Sequence, residues 1–272
     1  MKIQNGAGNR VAAARTGGRA DIEYSLKKVY NETEMLLRIY RKLLKYFGPQ
    51  GWWPINALYD PSKKTFTRAE KFEIMAGAIL TQNTSWKNVE KALSNLRKEK
   101  LLDITAISEV NIKILRGVIR PSGFFKQKAS RLKNFARRVR TEADRSYGNI
   151  TREYLLSLNG IGPETADSIM LYALGKPYFV IDAYTKRLIK RAGLTDADDY
   201  ETLRQFFQKN LPADTEIFGE YHALIVALAK KFCKKVPECR GCPISANCSI
   251  VRSAPTVRGR GQGLPTDALD TR

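Results

Sequence analysis

The chain has 272 residues, 43% hydrophobic and 27% charged, which is enough apolar material for a buried core and rules out wholesale disorder. Lys and Arg number 47 against 27 Asp and Glu, a net charge of +20 that points to a polyanionic partner, nucleic acid first. No apolar run approaches the roughly 20 residues of a bilayer span, and residues 1–20 lack the apolar stretch of a secretory signal. The expectation is a monomer without membrane contact, located in the cytoplasm on the nucleoid.

Residues 1–22 read as a disordered basic leader and 251–272 as a disordered tail. The first twenty residues carry +4 and the last twenty-two +2, leaving +14 on the interior, so the basic character belongs to the folded part. From Leu26 to Phe47 apolar residues recur at i, i+3 and i+4, which predicts a helix over 23–47, stopped by Gly48-Pro49. The stretch 51–67 reads as a loop carrying Trp52 and Trp53. Helices follow at 69–81 and 86–98, with Gln82-Asn83-Thr84 between them. Further helices are expected at 105–118, 125–143, 151–157, 163–174, 183–193, 199–209 and 215–232. No alternating strand of useful length is present, and Tyr178 to Ile181 is too short to build a sheet. The class is therefore all-α, with many short helices joined by tight turns.

Between Leu155 and Ala166 a helix ends, Gly160-Ile161-Gly162 makes a turn, and Pro163 opens the next helix where its missing N–H costs nothing. Glycines let backbone amides approach a ligand and a helix N-terminus favours anions, so the turn suits a DNA phosphate. A plain helix–helix turn is the alternative. Asp182 follows an apolar run and precedes a basic helix, which by itself reads as an N-cap. Paired tryptophans in a loop, Trp52 and Trp53, most often anchor a core. All four cysteines lie at Cys233-x5-Cys239-x2-Cys242-x5-Cys248, four soft ligands whose spacing suits zinc or an iron–sulfur cluster. With His222 the single histidine, a zinc site built on histidines is all but excluded.

The segment LNGIGPETADSIMLYALGKPYFVIDAYTKRL resembles the helix-hairpin-helix and Gly/Pro-Asp region of the endonuclease III superfamily of DNA glycosylases. The resemblance runs from about residue 25 to 250 and includes LTQNT at 80–84 and the C-terminal cysteines. GWWP at 51–54 and GIGPETAD make it most similar to the 3-methyladenine DNA glycosylase branch. It implies two helical domains, 67–175 with the hairpin and 23–66 plus 176–250 with a [4Fe–4S] cluster on the four cysteines, and a pocket between them near Asp182. The first cysteine gap is one residue shorter than the family's.

The resemblance also implies residue roles. Asp182 becomes the catalytic carboxylate, with capping as a compatible second role. Glu164 falls where lyase-competent relatives carry a lysine, and a carboxylate cannot form a Schiff base, so a monofunctional enzyme is expected. Trp52, then Trp53, become the stacking wall for an extruded alkylated purine, with Phe72 and Trp86 as secondary wall residues or core. Gln82 becomes the residue filling the gap left by the flipped nucleotide. Gly160, Gly162 and Lys186 face DNA, with Lys126, Lys128, Arg131, Arg187, Lys190 and Arg191 held as a group of phosphate contacts. The expected function is hydrolysis of the N-glycosidic bond of damaged bases in double-stranded DNA. The rivals are a glycosylase/lyase acting on oxidised pyrimidines and a non-catalytic DNA-binding module.

Overall fold

The computed structural model describes residues 19–145 and 147–249, with side chains from residue 31 onward, those of 142–145 excepted. The expected tail, 251–272, and most of the expected leader lie outside the described residues; 19–22 belong to the first helix, α1 (Arg19–Phe47). It is followed by α2 (Arg68–Leu80), α3 (Trp86–Lys98), α4 (Ile104–Glu109), α5 (Ile112–Val118), α6 (Phe125–Arg145), α7 (Arg152–Ser157), α8 (Pro163–Ser168), α9 (Ala183–Ala192), α10 (Tyr200–Asn210) and α11 (Thr215–Lys231). Among the described residues there is no sheet, only a single bridge between Ile55 and Leu58. No described helix is long and apolar enough to cross a membrane.

Two boundaries differ from expectation for local reasons. The helix expected over 105–118 breaks at Val110, whose ψ of 145° is extended, and Asn111 restarts it by accepting a hydrogen bond from the Lys113 N–H at 2.8 Å. The helix expected over 163–174 is α8 followed by a π-helical turn, Ile169–Ala173, in which the Leu174 N–H reaches back to the Ile169 carbonyl at 3.1 Å.

Helix α2 is the centre of the fold. Thr67 and Glu70 form a reciprocal capping box at its start, and every residue from Phe72 to Leu80 is buried. Small residues at Ala76, Gly77 and Ala78 let α3, α6, α8 and the π turn approach it from several sides. At its far end the fully buried Lys128 donates from Nζ to the carbonyls of Leu80 (2.8 Å) and Ser122 (2.6 Å), satisfying oxygens that the helix leaves open. Burial, then the charge of Arg131, pushes the Lys128 ammonium down to about 8. Lys128 is thus a structural cap, and its expected place among the phosphate contacts is corrected.

Helices α4 and α5 pack on α6, while α1 packs on α10 and α11, and α9 on α11. The π turn touches both α2 and α11, and the buried side chains from Leu36 to Ile244 form one unbroken cluster. This junction is where the residues singled out above are brought together.

Candidate active site

The hairpin is α7, a turn over 158–162, and α8. Gly160 has φ +84°, and a Cβ there would lie 2.5 Å from Arg131 Cδ, so only glycine fits. Gly162 has an ordinary φ of −90° and open space around its would-be Cβ, so the need for a glycine conformation is confined to Gly160. The hairpin is braced from behind. Arg152 Nε and Nη2 donate to the two oxygens of the fully buried Asp167 at 2.6 and 3.2 Å, and Tyr200 donates to Asp167 at 2.9 Å. Arg152 also pairs with Glu201.

In front of the turn, Gln82 Nε2 donates to the Gly160 carbonyl (2.9 Å) and Thr165 Oγ1 (3.0 Å), and its Oε1 accepts from Arg131 Nη1 (2.8 Å). Gln82 therefore clamps the hairpin to the end of α2 and does not project freely. Its neighbour Asn83, at φ +52°, is the exposed side chain of this turn.

Asp182 caps α9 as expected from its position: Oδ1 accepts the Thr185 N–H at 2.7 Å. Its Oδ2 lies 3.5 Å from His222 Nε2 on α11, and His222 Nδ1 lies 2.8 Å from the Tyr172 hydroxyl. Burial works against the charge on Asp182. The neighbouring His222, 3.5 Å away, and the Thr185 N–H outweigh it and hold the carboxyl below the usual carboxylate range. Glu164, on the first turn of α8, keeps an exposed edge but is crowded by surrounding protein, and that partial desolvation, then the negative charge of Asp182, pushes its carboxyl up. The two carboxyls are thereby driven in opposite directions. Lys186 is exposed one turn into α9 and donates from Nζ to the Asp198 carbonyl.

The tryptophans separate. Trp53 is buried, with 6% exposure; its ring sits where Gly77 of α2 has no Cβ and stands 5.4 Å from the Tyr172 ring. It is a core anchor, and its expected role as a pocket wall is corrected. Trp52 is half-buried, with ring centres 4.6 Å from Trp86 and 6.0 Å from Tyr59. It lines a cavity of about 740 Å³ together with Tyr40, Phe66, Tyr172 and Glu220. Asp182 does not line this cavity, which corrects the expected pocket beside it: Tyr172 lines the cavity, and contacts through His222 join it to Asp182. Phe72 is core, 1% exposed.

The four cysteines line one small cavity between α9, α11 and the loop after α11. Arg191, only 6% exposed, points into the same place. Its guanidinium donates to the carbonyls of Lys234 (2.6 Å) and Lys235 (2.9 Å) and to Cys233 Sγ (3.4 Å). Arg191 is therefore removed from the phosphate-contact group, and Arg187, bonded to the Cys233 carbonyl at 2.9 Å, ties the same loop to α9. Burial is the largest influence raising the Cys239 and Cys242 thiols. Among the described residues no three His, Cys, Asp or Glu side chains are arranged to hold a single metal ion.

Sequence inspection missed His222 and Tyr172. The sole histidine was informative only about zinc, and nothing local links positions 172, 182 and 222; the packing of α11 on α9 and the π turn does.

Residues 76–213 match the family model of the HhH-GPD superfamily base excision DNA repair protein. A protein of Methanocaldococcus jannaschii named as a DNA repair glycosylase is 46% identical over 231 residues, covering 80% of this chain and 97% of its own. Endonuclease III of Thermotoga maritima is 26% identical over 210 residues, 73% of this chain and 92% of its own. Among solved structures, the H. pylori 3-methyladenine DNA glycosylase bound to 1,N6-ethenoadenine superposes with a TM-score of 0.61 at 31% identity, covering 74% of this chain and 97% of that one. An endonuclease III–DNA complex superposes at 0.64 and 20% identity, covering 79% of this chain and 94% of that one, a likeness of fold. With the braced hairpin and the capped carboxylate in place, the chain belongs to the HhH-GPD superfamily of base excision DNA repair proteins and is one of its DNA glycosylases.

Proposed function

We propose that the protein hydrolyses the N-glycosidic bond of damaged bases flipped from double-stranded DNA, alkylated purines above all, and leaves the abasic site uncut. The observation that carries this reading is the pair of carboxyls at the hairpin: Asp182 fixed by its cap and held ionised, and Glu164 where a lyase would carry lysine. As the base departs, positive charge grows on the sugar, and a fixed anion stabilises it and orients the incoming water. Without an amine at position 164 no Schiff base forms there.

Trp52 is the wall offered to the extruded base. An electron-rich indole attracts a cationic N-alkylated purine more than a neutral base, by about 0.5–2 kcal/mol. An alkylated cation is also a good leaving group, so recognition by charge and shape suffices. The likeness to the 3-methyladenine glycosylase supports this substrate class.

Backbone amides at Gly160–Gly162, the exposed Lys186 and Lys126, and Lys190 face the phosphates; Gln82 and Arg131 present the hairpin for that contact. The four cysteines would hold a [4Fe–4S] cluster. Four thiols line one cavity, burial raises those of Cys239 and Cys242, and four soft sulfur ligands at this spacing are the donor set such a cluster needs. When bound, the cluster supplies a structural cross-link. The chain's own Arg191 and Arg187 then hold the 233–248 loop, with Lys234, Lys235 and Arg240, against α9.

Single-turnover assays on duplexes carrying 1,N6-ethenoadenine, 3-methyladenine analogues or oxidised pyrimidines test this. Alkali-dependent strand breaks on alkylated purines are expected. Spontaneous breaks, or a borohydride-trapped adduct, would replace the reading with a lyase, and no breaks on any lesion would leave a binding module. Iron near four atoms per chain with absorbance near 400 nm is expected; stoichiometric zinc would overturn the cluster.

A further inference from the structure

We propose that His222 is the positioning residue of the Asp182 site: backed by Tyr172, it presents an Nε2–H to the second carboxylate oxygen and fixes it. The inference rests on the reading of Asp182 as the catalytic carboxylate.

The argument is one of hydrogen-bond direction. Asp182 Oδ1 is already held by the Thr185 N–H at 2.7 Å, so the side chain has one anchored oxygen and one whose partner is His222 Nε2, 3.5 Å away. Both side chains are nearly buried, 12% exposed for His222 and 13% for Asp182, so water does little to screen the pair. On the other side of the ring, Nδ1 meets the Tyr172 hydroxyl at 2.8 Å, and that hydroxyl also lies 3.2 Å from the Gly219 carbonyl.

A hydroxyl has one proton to give. If Tyr172 donates to Gly219, which can only accept, the short contact to Nδ1 requires a proton on Nδ1. Nε2 must then also carry a proton, since a bare lone pair there would oppose the Asp182 anion; the imidazole is cationic. If Tyr172 donates to Nδ1 instead, the ring is neutral with its proton on Nε2. Both arrangements place an N–H on Nε2 facing Asp182. His222 Nε2 has no other hydrogen-bond partner, so Asp182 Oδ2, 3.5 Å away, is the acceptor open to it.

The other groups around the pair reinforce this. Glu164 on α8 and Asp182 on α9 are both acidic and repel each other, Lys186 on α9 offsets Glu164, and Glu220 on α11 acts on Tyr172. Beside the Thr185 N–H, His222 is the side chain that favours charge on Asp182.

The test is the pH dependence of single-turnover base release from one ethenoadenine duplex, so that any titration of the lesion is common to all variants. His222→Phe keeps the ring volume and removes both nitrogens. Its acidic limb is expected to move up by about one pH unit, a loss of about tenfold on that limb. His222→Gln, whose amide N–H can reach the carboxylate, is expected to stay closer to the wild type. Tyr172→Phe, which leaves the imidazole in place without its second partner, is expected to move the limb the same way by less. Thermal melting and binding to abasic-site DNA check that each variant is folded; should His222→Phe not fold, the other two variants decide. Limbs of His222→Phe and Tyr172→Phe superposed on the wild type would overturn the proposal. An active Asp182→Asn variant would instead remove the reading on which it rests.

Discussion

Replacing Asp182 by Asn separates the two jobs of this residue. Asn is as good an N-cap as Asp, so the 2.7 Å bond from the Thr185 N–H survives and folding stability is expected within about 0.5 kcal/mol of the wild type. The charge does not survive. A carboxylate about 4 Å from a developing sugar cation contributes about 4 kcal/mol at an effective dielectric constant near 20. Its loss corresponds to a fall of roughly a thousandfold in the single-turnover rate. The setting justifies that dielectric: the side chain is 13% exposed and is held in its charged form by His222 and Thr185. The assay is rapid-quench base release on an ethenoadenine duplex, followed by alkali, with urea denaturation and DNA-binding isotherms measured in parallel. A variant that is folded, binds DNA and releases base within tenfold of the wild type would refute the reasoning.

Asp167→Ala is expected to cost about 3 kcal/mol, because it removes the buried carboxylate that accepts from Arg152 and Tyr200 and leaves Glu201 as the remaining partner of Arg152, whereas an apolar pair at 152 and 167 is expected to be far less damaging; urea midpoints check both. Gly160→Ala is expected to weaken DNA binding and to cost about 1–3 kcal/mol through its φ of +84° and the 2.5 Å approach to Arg131, while Gly162→Ala stays folded with near-normal stability; equal melting temperatures for the two would contradict this. Lys128 is expected to titrate near 8 by NMR of its Nζ. Because its folded-state value lies below the unfolded one, this site's charge costs stability below pH 8, and that cost is relieved as pH rises from about 8 to 10.5; a midpoint above 10 would show that the ammonium is not desolvated.

The elements that sequence reasoning located correctly are those determined within one turn of chain. Apolar spacing marks the helices, Pro163 opens α8, and Asp182 sits where an extended run meets a helix and so caps it. These features depend on neighbours a few residues away and carry their own signature. The clustering of all four cysteines within sixteen positions likewise announces a common site.

What the tertiary structure decided concerns side chains whose partners lie far along the chain. Trp52 and Trp53 are adjacent and chemically identical; Gly77, a notch in α2, takes one ring into the core and leaves the other beside a cavity. Lys128 and Arg191 look like any other basic residue on a basic helix, and only the carbonyls of Leu80, Ser122, Lys234 and Lys235 turn them into internal caps. Gln82 becomes a clamp because the hairpin, 78 residues away, brings it a carbonyl. His222 meets Asp182 because α11 packs on α9. Periodicity reports which face of an element is apolar, but it carries no distance between elements, and a polar side chain's role is set by whichever acceptor or charge the packed fold leaves within about 3 Å of it.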